Sequence, residues 1–527
     1  MTATDLSGEQ VRRALLDQNY VPRASRRGDD LPSSFDTLGM NSASRAIVER
    51  NVDDHRHVKS VRLGKDPGYS VAEGRVAHYR LNPRRIELPH PVAYSNLVET
   101  LARHWETELA PKLESPVSQF AVRQHADGRV AAMRQVGKPL RPGVGSRFRV
   151  RADIATFYDS IYTHALPWAM LGKSVAKTNR GNNLAANDID SALRFARRGE
   201  TTGVSTGPGT SLIVAELMLA RVDDELRAFR YERFLDDYVA YTTTEADAEE
   251  FVRRLDSSLR AYGLKLNARK TAIDPLPQPD EPSWIRELRR ATRDRPGELL
   301  DRAIELSQAD PTASAIRWVL SRLTRLAPEY SDGEARQITA RLAELSFTHP
   351  YTTSALVEML AARDEGLRAA ELDALLQRHA SNTQTSATCW LLHHAWSQNQ
   401  PIGGDTWDAI AASGDALASS FLIKSRAPTH GKRREELLAA LAASADDYAC
   451  DEQWPARYVA FVEGREDLDA PGFAEMRSAG VQLLRDPRRE DETGDDGAGS
   501  LDDYIEDDDE DDDEDEFDGL YALGLSG

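Results

Sequence analysis

The segment from Tyr231 to Thr243 contains two short β-prone runs that flank a pair of adjacent acids, Asp236 and Asp237. This pattern predicts a β-hairpin with both carboxylates at its tip. Acids are common at solvated hairpin tips, so on this feature alone an ordinary surface turn is the simpler interpretation. The surrounding sequence decides between a surface turn and a reactive site.

Another acid, Asp153, ends a β-rich run from Phe148 to Ala155. Its side chain and the next backbone carbonyl, that of Ile154, are both placed to reach a metal ion. Nucleotide addition uses two divalent ions, one that activates the attacking hydroxyl and one that shields the triphosphate and its leaving group. Magnesium takes oxygen ligands and few protein carboxylates. We therefore predict that Asp153 and the Asp236-Asp237 pair hold two Mg²⁺ ions, with Mn²⁺ as an alternative.

Two further blocks accompany the acids. GVSTGPGTS places three glycines and a proline before an apolar helix predicted from Ser211 to Phe229. Glycine lets the backbone approach a nucleotide closely, and a helix N-terminus favours negative charge. The second block, YGLKLNARKT, contains Lys270 and follows an amphipathic helix that Gly263 ends. Taken singly, these blocks are an ordinary capped helix and a surface lysine.

In their order, the four blocks resemble the palm motifs of reverse transcriptases. DIATFYDSI resembles the first motif, GVSTGPGTS the second, the Asp236-Asp237 hairpin the third and YGLKLNARKT the fourth. The resemblance covers roughly residues 15 to 275. It departs from the common pattern at Ser205-Thr206, where many members have Pro-Gln.

The resemblance implies roles for individual residues. Tyr158 would screen the sugar 2′-position and favour deoxynucleotides, whereas its neighbour Phe157 belongs to the core. Lys270 would protonate or neutralise the departing pyrophosphate. The nucleotide-binding residues of the glycine-rich loop would be Gly203, Ser205, Thr206, Gly207 and Ser211.

Basic residues precede Asp153, where a fingers element would hold triphosphate or nucleic-acid backbone. They are Lys138, Arg141, Arg147, Arg149 and Arg151. Because side chains alternate along a strand, only some of them point inward, and Arg149 and Arg151 are our candidates.

Several other residues have plainer interpretations. Tyr20, Tyr504 and Tyr521 lie near the chain ends and are considered as protein primers, although an ordinary structural role is the simpler one. We expect His164 to be a structural hydrogen-bonding group. The adjacent His393 and His394 face different sides of a helix, which favours helix packing over a metal site.

Charge and composition restrict the class of protein. Of the 86 acidic residues, 19 lie between Glu490 and Gly527, where no Lys or Arg occurs, so residues 1–489 retain 67 acidic and 66 basic residues. The body is near neutral, which removes the objection that a net charge of −20 raises against nucleic-acid binding. Two cysteines exclude a four-cysteine zinc site. A polar N-terminus and the lack of long apolar runs predict a soluble, cytoplasmic protein without membrane contact.

The expected fold class is α+β. An N-terminal extension (1–45) precedes reverse-transcriptase fingers and palm (46–280), an all-α, HEAT-like repeat region (281–485) and a disordered acidic tail (486–527). In the repeat region the sequence predicts helix pairs at about 297–326, 334–367, 369–398, 405–426 and 433–464. The irregular spacing indicates a degenerate α-solenoid.

The segment YTHALPWAMLGKSVAK and the helical C-terminal region look like the bacterial antiphage, or abortive-infection, group of reverse transcriptases. This resemblance implies a defence enzyme that acts on dNTPs and on DNA or RNA, with a non-coding RNA or a second copy of the chain as further partners. Templated and untemplated synthesis both remain open. The rival hypotheses are an inactive palm-plus-solenoid scaffold that binds nucleic acid or protein, and an RNA-synthesising palm polymerase.

Overall fold

The computed structural model describes most of the chain between residues 3 and 489. The described ranges are 3–21, 30–52, 68–79, 82–124, 130–135, 140–181, 183–279, 281–291, 295–310, 314–424, 430–444 and 446–489. The acidic tail, Lys138, Tyr504 and Tyr521 lie outside these ranges.

The N-terminal part combines helices with two β-hairpins. Its elements are α1 (Gly8–Arg13), α2 (Met40–Asn51), β1 (Val71–Tyr79), β2 (Asn82–Pro89), α3 (Pro91–His104), α4 (Ala110–Leu113), β3 (Phe120–Gln124) and β4 (Val130–Gln135). β1 pairs with β2, and β3 pairs with β4, both antiparallel. Leu15, Leu16 and Tyr20 are fully buried in the common core, so the N-terminal segment packs against the body of the protein.

The central part carries every predicted site block. Its elements are β5 (Phe148–Asp153), α5 (Phe157–Ser160), α6 (Ala165–Leu171), α7 (Lys173–Thr178), α8 (Ala185–Phe195), α9 (Gly209–Glu225), β6 (Tyr231–Phe234), β7 (Asp237–Thr242), α10 (Glu245–Ala261) and β8 (Ala272–Pro275). The four strands form one antiparallel sheet in the order β6-β7-β5-β8.

Strand alternation gives the central sheet two different faces. Val150, Ala152, Tyr238 and Ala240 are buried on the face that packs against α10. Asp153 lies on the opposite face. The apolar stripe of α10 behaves as the sequence predicts, because its phenylalanine and leucines are buried and Gly263, with φ +86°, follows its end.

The C-terminal part is helical. Its helices are α11 (Ser283–Arg290), α12 (Pro296–Ala309), α13 (Ala315–Arg325), α14 (Asp332–Thr348), α15 (Thr353–Ala361), α16 (Ala369–Ser381), α17 (Thr385–Ser397), α18 (Gly404–Ala412), α19 (Ala416–Lys424), α20 (Gly431–Ala443), α21 (Asp447–Glu452), α22 (Trp454–Val462) and α23 (Phe473–Ser478).

The helix pairs of this part follow the predicted ranges, except that the last pair contains the additional short helix α21. α13, α15, α17 and α19 contact one another in succession, and α12, α14, α16 and α18 form a second succession beside them. No helix of the described residues is long and apolar enough to cross a membrane.

The helical part packs directly on the N-terminal part. The indole Nε1 of Trp454 donates to the carbonyl of Leu88 at 3.1 Å, and its ring stacks near Tyr20 with centroids 5.9 Å apart. Phe35 forms a β-bridge with Leu484. Residues near the two ends of the described chain therefore contact each other and the end of β2, which adjoins the site described below.

Candidate active site

Asp153 and Asp237 lie directly opposite each other on the central strands. They are register partners of β5 and β7, so their Cβ atoms are about 5 Å apart on one face of the sheet. Asp236 occupies the turn between β6 and β7 and completes the group. Asp153 and Asp237 therefore meet as expected and Asp236 is adjacent to them along the turn, whereas the joint catalytic role of the three carboxylates stays a prediction.

The turn that carries Asp236 is held from two sides. Leu235 adopts φ +52°, a left-handed conformation that fits a two-residue hairpin turn. The backbone N–H of Ile154 donates to Asp236 O at 3.2 Å, and that of Asn267 donates to Asp153 O at 2.8 Å. No backbone N–H in the described ranges donates to the carbonyl of Ile154, the atom that the sequence offers as a metal ligand.

Arg233 is fully buried beneath this turn and was not found from the sequence. Its guanidinium donates to both carboxylate oxygens of Glu216, at 2.7 and 3.0 Å, and to Asp223, at 2.8 to 3.2 Å. Nη1 also donates to the carbonyl of Leu235 at 3.2 Å. This arginine therefore links helix α9 to the turn that presents Asp236.

The carboxylates perturb one another. Burial, followed by the charge of Asp153, raises the pKa of Asp236 to about 6. Burial, followed by the charges of Asp236 and Asp153, raises the pKa of Asp237 to about 8. The raised pKa values reflect burial and the repulsion between the ionised carboxylates. A cation that binds among Asp153, Asp236 and Asp237 would therefore stabilise their ionised forms.

Lys270 supplies one such cation. Its Nζ lies 2.7 Å from Oδ2 of Asp153. Burial alone would lower the pKa of Lys270, but the hydrogen bond and charge of Asp153, with the other two acids, raise it. The fourth block is thus brought to the acids, as the resemblance implies.

The donor chemistry suits Mg²⁺, since the three side chains are hard oxygen ligands on different parts of the fold. They do not form a closed cage: within the described ranges, no three His, Cys, Asp or Glu side chains are grouped to hold a metal ion. Oδ2 of Asp153 is instead engaged by Lys270. An ion would therefore enter with part of its ligand shell supplied by substrate and water.

Tyr158 lies beside the acids, and Phe157 is buried in the core as predicted. Burial, followed by the charge of Asp236, raises the pKa of Tyr158 above its ordinary value, so the phenol stays neutral. The rings of the two aromatics are 5.3 Å apart. The position of Tyr158 next to Asp236 is compatible with the sugar-screening role.

The glycine-rich loop borders Tyr158. The N–H groups of Gly203 and Val204 donate to Ile161 O and Tyr158 O, at 2.8 and 3.0 Å. Gly203 and Gly207 have φ +87° and +122°, conformations that favour glycine.

The polar residues of the loop differ in exposure. Ser211 is buried and its hydroxyl donates to the carbonyl of Ser205, itself buried, at 2.6 Å. These two serines therefore shape the loop. Gly207 is exposed and Thr206 half-buried, which makes them the loop residues accessible to a nucleotide.

Arg149 and Arg151 lie on the same face of β5 as Asp153, as the alternation predicts. Both pair with Asp274 of β8, at 3.4 and 3.0 Å. Arg141 and Arg147 precede the strand, and the N–H of Arg147 donates to Thr242 O. The two candidate arginines are therefore held as a group by an acid that the sequence analysis did not single out.

Strand β2 adds two arginines that were also missed. Arg85 pairs with Asp159, one residue after Tyr158, at 3.0 Å, and Arg84 acts electrostatically on Tyr158 itself. The N–H of Glu87, two residues further, donates to Thr206 O at 2.9 Å. Strand β2 thus borders both Tyr158 and the glycine-rich loop, and its two arginines are paired with acids there. The sequence PRR was its only signal.

The plainer interpretations hold for the remaining residues. Tyr20 is fully buried and donates to Pro89 O at 2.5 Å, so it is structural and not an accessible primer. His164 hydrogen-bonds to Asp190 at 2.8 Å. His393 contacts the hydroxyl of Ser34 at 3.1 Å, whereas His394 is buried elsewhere in the helical packing.

A comparison with protein families agrees with this geometry. Residues 111–277 match the family described as reverse transcriptase (RNA-dependent DNA polymerase). The chain therefore contains a reverse transcriptase domain and is an enzyme of the reverse transcriptase, or DNA nucleotidyltransferase, type. No curated protein sequence matches the chain significantly.

Proposed function

We propose that this protein is a DNA polymerase that transfers nucleotides from dNTPs by a two-metal mechanism, within a bacterial antiphage system. The observation that carries the proposal is the placement of Asp153 opposite Asp237, with Asp236 in the adjacent turn. A binding scaffold has no need to gather three repelling carboxylates at one edge of a sheet.

The three aspartates, with the carbonyl of Ile154, would hold two Mg²⁺ ions. When bound, these ions supply activation of the attacking 3′-hydroxyl and charge neutralisation of the triphosphate. Lys270 is positioned to move from Asp153 towards the departing pyrophosphate and to donate a proton there. Arg84 and Arg85 flank the same space from β2, where they would neutralise the triphosphate.

The choice of sugar would rest on Tyr158. The charge of Asp236 acts on its phenol, and its carbonyl accepts from the N–H of Val204 in the glycine-rich loop, so the ring would meet a 2′-hydroxyl there. Thr206 and Gly207 are accessible for contact with the incoming nucleotide or the template. Because Ser205-Thr206 stands where many reverse transcriptases have Pro-Gln, contacts to the incoming base would come from the loop backbone and the hydroxyl of Thr206.

The antiphage assignment is supported by the domain order. Helices α11 to α23 follow the palm directly, and we propose that they form a HEAT-like repeat region. Its proposed partners are a non-coding RNA or another copy of the chain, and the proposed location is the cytoplasm. Because Tyr20 is buried, it is not the proposed primer. The hydroxyl that receives the first nucleotide would belong to a nucleic-acid primer or to a tyrosine elsewhere in the chain.

The test is incorporation of labelled dNTPs by the purified protein with Mg²⁺, with and without primer and co-expressed RNA. Asp236→Asn is the inactive control, and Asp256→Asn on the outer face of α10 is its matched counterpart. Wild type and Asp256→Asn should incorporate dNTPs, and Asp236→Asn should not. No incorporation by wild type under any condition would favour the scaffold, and preference for NTPs would favour an RNA polymerase.

A further inference from the structure

The segment after the first block exposes cations without acidic partners. From Ser160 to Asn187 the chain contains Lys173, Lys177 and Arg180 and no Asp or Glu. All three are exposed, and none forms an ion pair with any residue in the described ranges. Most arginines on this near-neutral body are paired with acids, so an unpaired group of three is a distinct surface.

The acids that flank this segment are already paired, and the first of them, Asp159, pairs with Arg85. Asp188 is buried and bonds to Arg103 and His104, and Asp190 is buried and bonds to His164. They are therefore unable to neutralise the exposed cations. The patch presents positive charge to whatever approaches from solvent.

Internal packing does not account for this element. In α7 only Ala176 is buried, and Val175 is 47% exposed. A helix of six residues that buries one small side chain gains little from the core. Lys173 lies over the ring of Trp168 at 4.3 Å, which places a half-buried aromatic at the edge of the patch.

A hollow of about 510 Å³ opens beside the cations. The lining combines apolar side chains, amides and one guanidinium: Leu171, Val175, Leu184, Asn179, Asn183 and Arg180. The side chain of Asn187 donates to the carbonyls of Asn179 and Gly181 and fixes the rim.

The patch is connected to the candidate active site through α6, which contacts α7. Residue Tyr162 forms a β-bridge with Thr202, next to Gly203 of the glycine-rich loop, and α6 begins three residues later. We propose that α7 and this hollow bind single-stranded nucleic acid, with phosphates on Lys173, Lys177 and Arg180 and an unstacked base in the hollow. Single strands, unlike duplexes, offer both a polyanionic backbone and free base faces. The inference rests on the proposed function only for the identity of that strand as template or primer.

The experiment measures binding of a labelled twelve-nucleotide single strand to the full chain, by fluorescence anisotropy without divalent metal. Lys173→Ala/Lys177→Ala/Arg180→Ala should weaken binding at least tenfold at low salt. Because each phosphate contact contributes about 0.7 to the slope of log K against log salt, the slope should fall by about 2. Arg253→Ala/Arg254→Ala/Arg260→Ala on α10 is the charge-matched control and should change neither the affinity for the strand nor the salt slope.

A second variant tests the hollow separately from charge. Wild type should bind an ordinary strand more tightly than a strand with abasic sites. Val175→Trp should fill the hollow and remove this preference. Equal binding of abasic and ordinary strands by wild type would overturn the base pocket. Equal weakening in the α10 control, tighter binding of duplex, or competition by polyglutamate as effective as that by polythymidine would overturn the proposal.

Metal-free binding keeps this proposal distinct from the proposed function. If wild type binds the strand through α7 but incorporates no nucleotide, the polymerase assignment fails and the surface stands. If wild type incorporates nucleotides while the triple variant binds as tightly as wild type, the surface assignment fails alone.

Discussion

Arg233 binds Glu216 through two parallel hydrogen bonds, Nη1 to Oε1 at 2.7 Å and Nη2 to Oε2 at 3.0 Å, and both side chains are buried. The same guanidinium holds Asp223 and the carbonyl of Leu235. A buried carboxylate without its cation is strongly unfavourable. Arg233 therefore joins α9 to the Asp236 turn, which the N–H of Ile154 also holds.

The first prediction concerns this buried arginine. Arg233→Gln leaves Glu216 and Asp223 without their cation and should lower the free energy of unfolding by about 3–5 kcal/mol. Urea unfolding measures the loss. Arg227→Gln, which removes an exposed arginine paired with Asp224, is the control and should cost less than about 1 kcal/mol. Similar losses in both variants would contradict a supporting role for Arg233.

A second prediction follows from repulsion among the acids. The folded-state pKa of Asp236 (about 6) and of Asp237 (about 8) lies above the ordinary value of 3.8. The folded state therefore holds protons that the unfolded state has released, and stability falls as pH rises from about 4 to 8. With divalent metal chelated, Asp237→Asn should flatten this fall and raise Tm at pH 8, while it abolishes incorporation.

The measurement is thermal unfolding of both proteins at several pH values in chelator. Mg²⁺ should then stabilise wild type and leave Asp237→Asn nearly unchanged, because an ion that binds only the folded state shifts unfolding by mass action. A wild-type Tm that rises towards pH 8 without metal would be inconsistent with the raised pKa values.

The third prediction concerns sugar selection. If the ring of Tyr158 screens the 2′-position, Tyr158→Phe should keep the preference for dNTPs, and Tyr158→Ala should relax it about tenfold or more. Loss of a steric contact in a pocket typically changes discrimination by about 1–3 kcal/mol. Competition between dNTPs and NTPs measures the ratio. Equal ratios in the alanine and phenylalanine variants would remove Tyr158 from this role.

The fourth prediction separates proton donation from substrate binding. Lys270→Met removes the ammonium beside Asp153 and should lower kcat about 100-fold, within the range for loss of a general acid. KM should change far less. Lys265→Met, an exposed lysine in the same block, is the matched control. A variant whose defect lies entirely in KM would assign Lys270 to binding instead.

The sequence predicted the elements that depend on local patterning. The hairpin, the helix ended by Gly263 and the strand that ends at Asp153 follow from alternation, helical spacing and glycine, which act over a few residues. The convergence of Asp153 with Asp237 was inferred from the order of the blocks and is observed in the strand register.

Partners distant along the chain were not predictable in this way. Arg233 sits in a short strand where a charged residue normally faces solvent, and its acids lie seven residues apart on α9, on one face of that helix. That spacing is the sequence feature that could have indicated the partners of Arg233. No sequence feature indicates that Asp274 pairs with Arg149 and Arg151, because β8 joins β5 only through the tertiary fold.

The fifth prediction concerns acid stability of the helical part. Burial lowers the pKa of His379, His393 and His394 to about 4, assisted by Arg378 for the first and by His394 for the second. Between pH 6.5 and 4 the unfolded state therefore binds protons that the folded state does not bind. The stability that is present above pH 6.5 is lost as the pH falls through this range. Each such histidine contributes a slope of about 1.4 kcal/mol per pH unit.

His379→Gln should remove one such slope, whatever its effect on stability at neutral pH. Urea unfolding between pH 4 and 8, followed by circular dichroism, measures the difference in the free energy of unfolding between the wild type and the variant. The difference should be constant above pH 7 and should shift in favour of the variant as pH falls below 6.5. A difference that stays constant down to pH 4 would mean that His379 is protonated in the folded state as readily as in the unfolded one, and its burial against Ser346 would not govern acid stability.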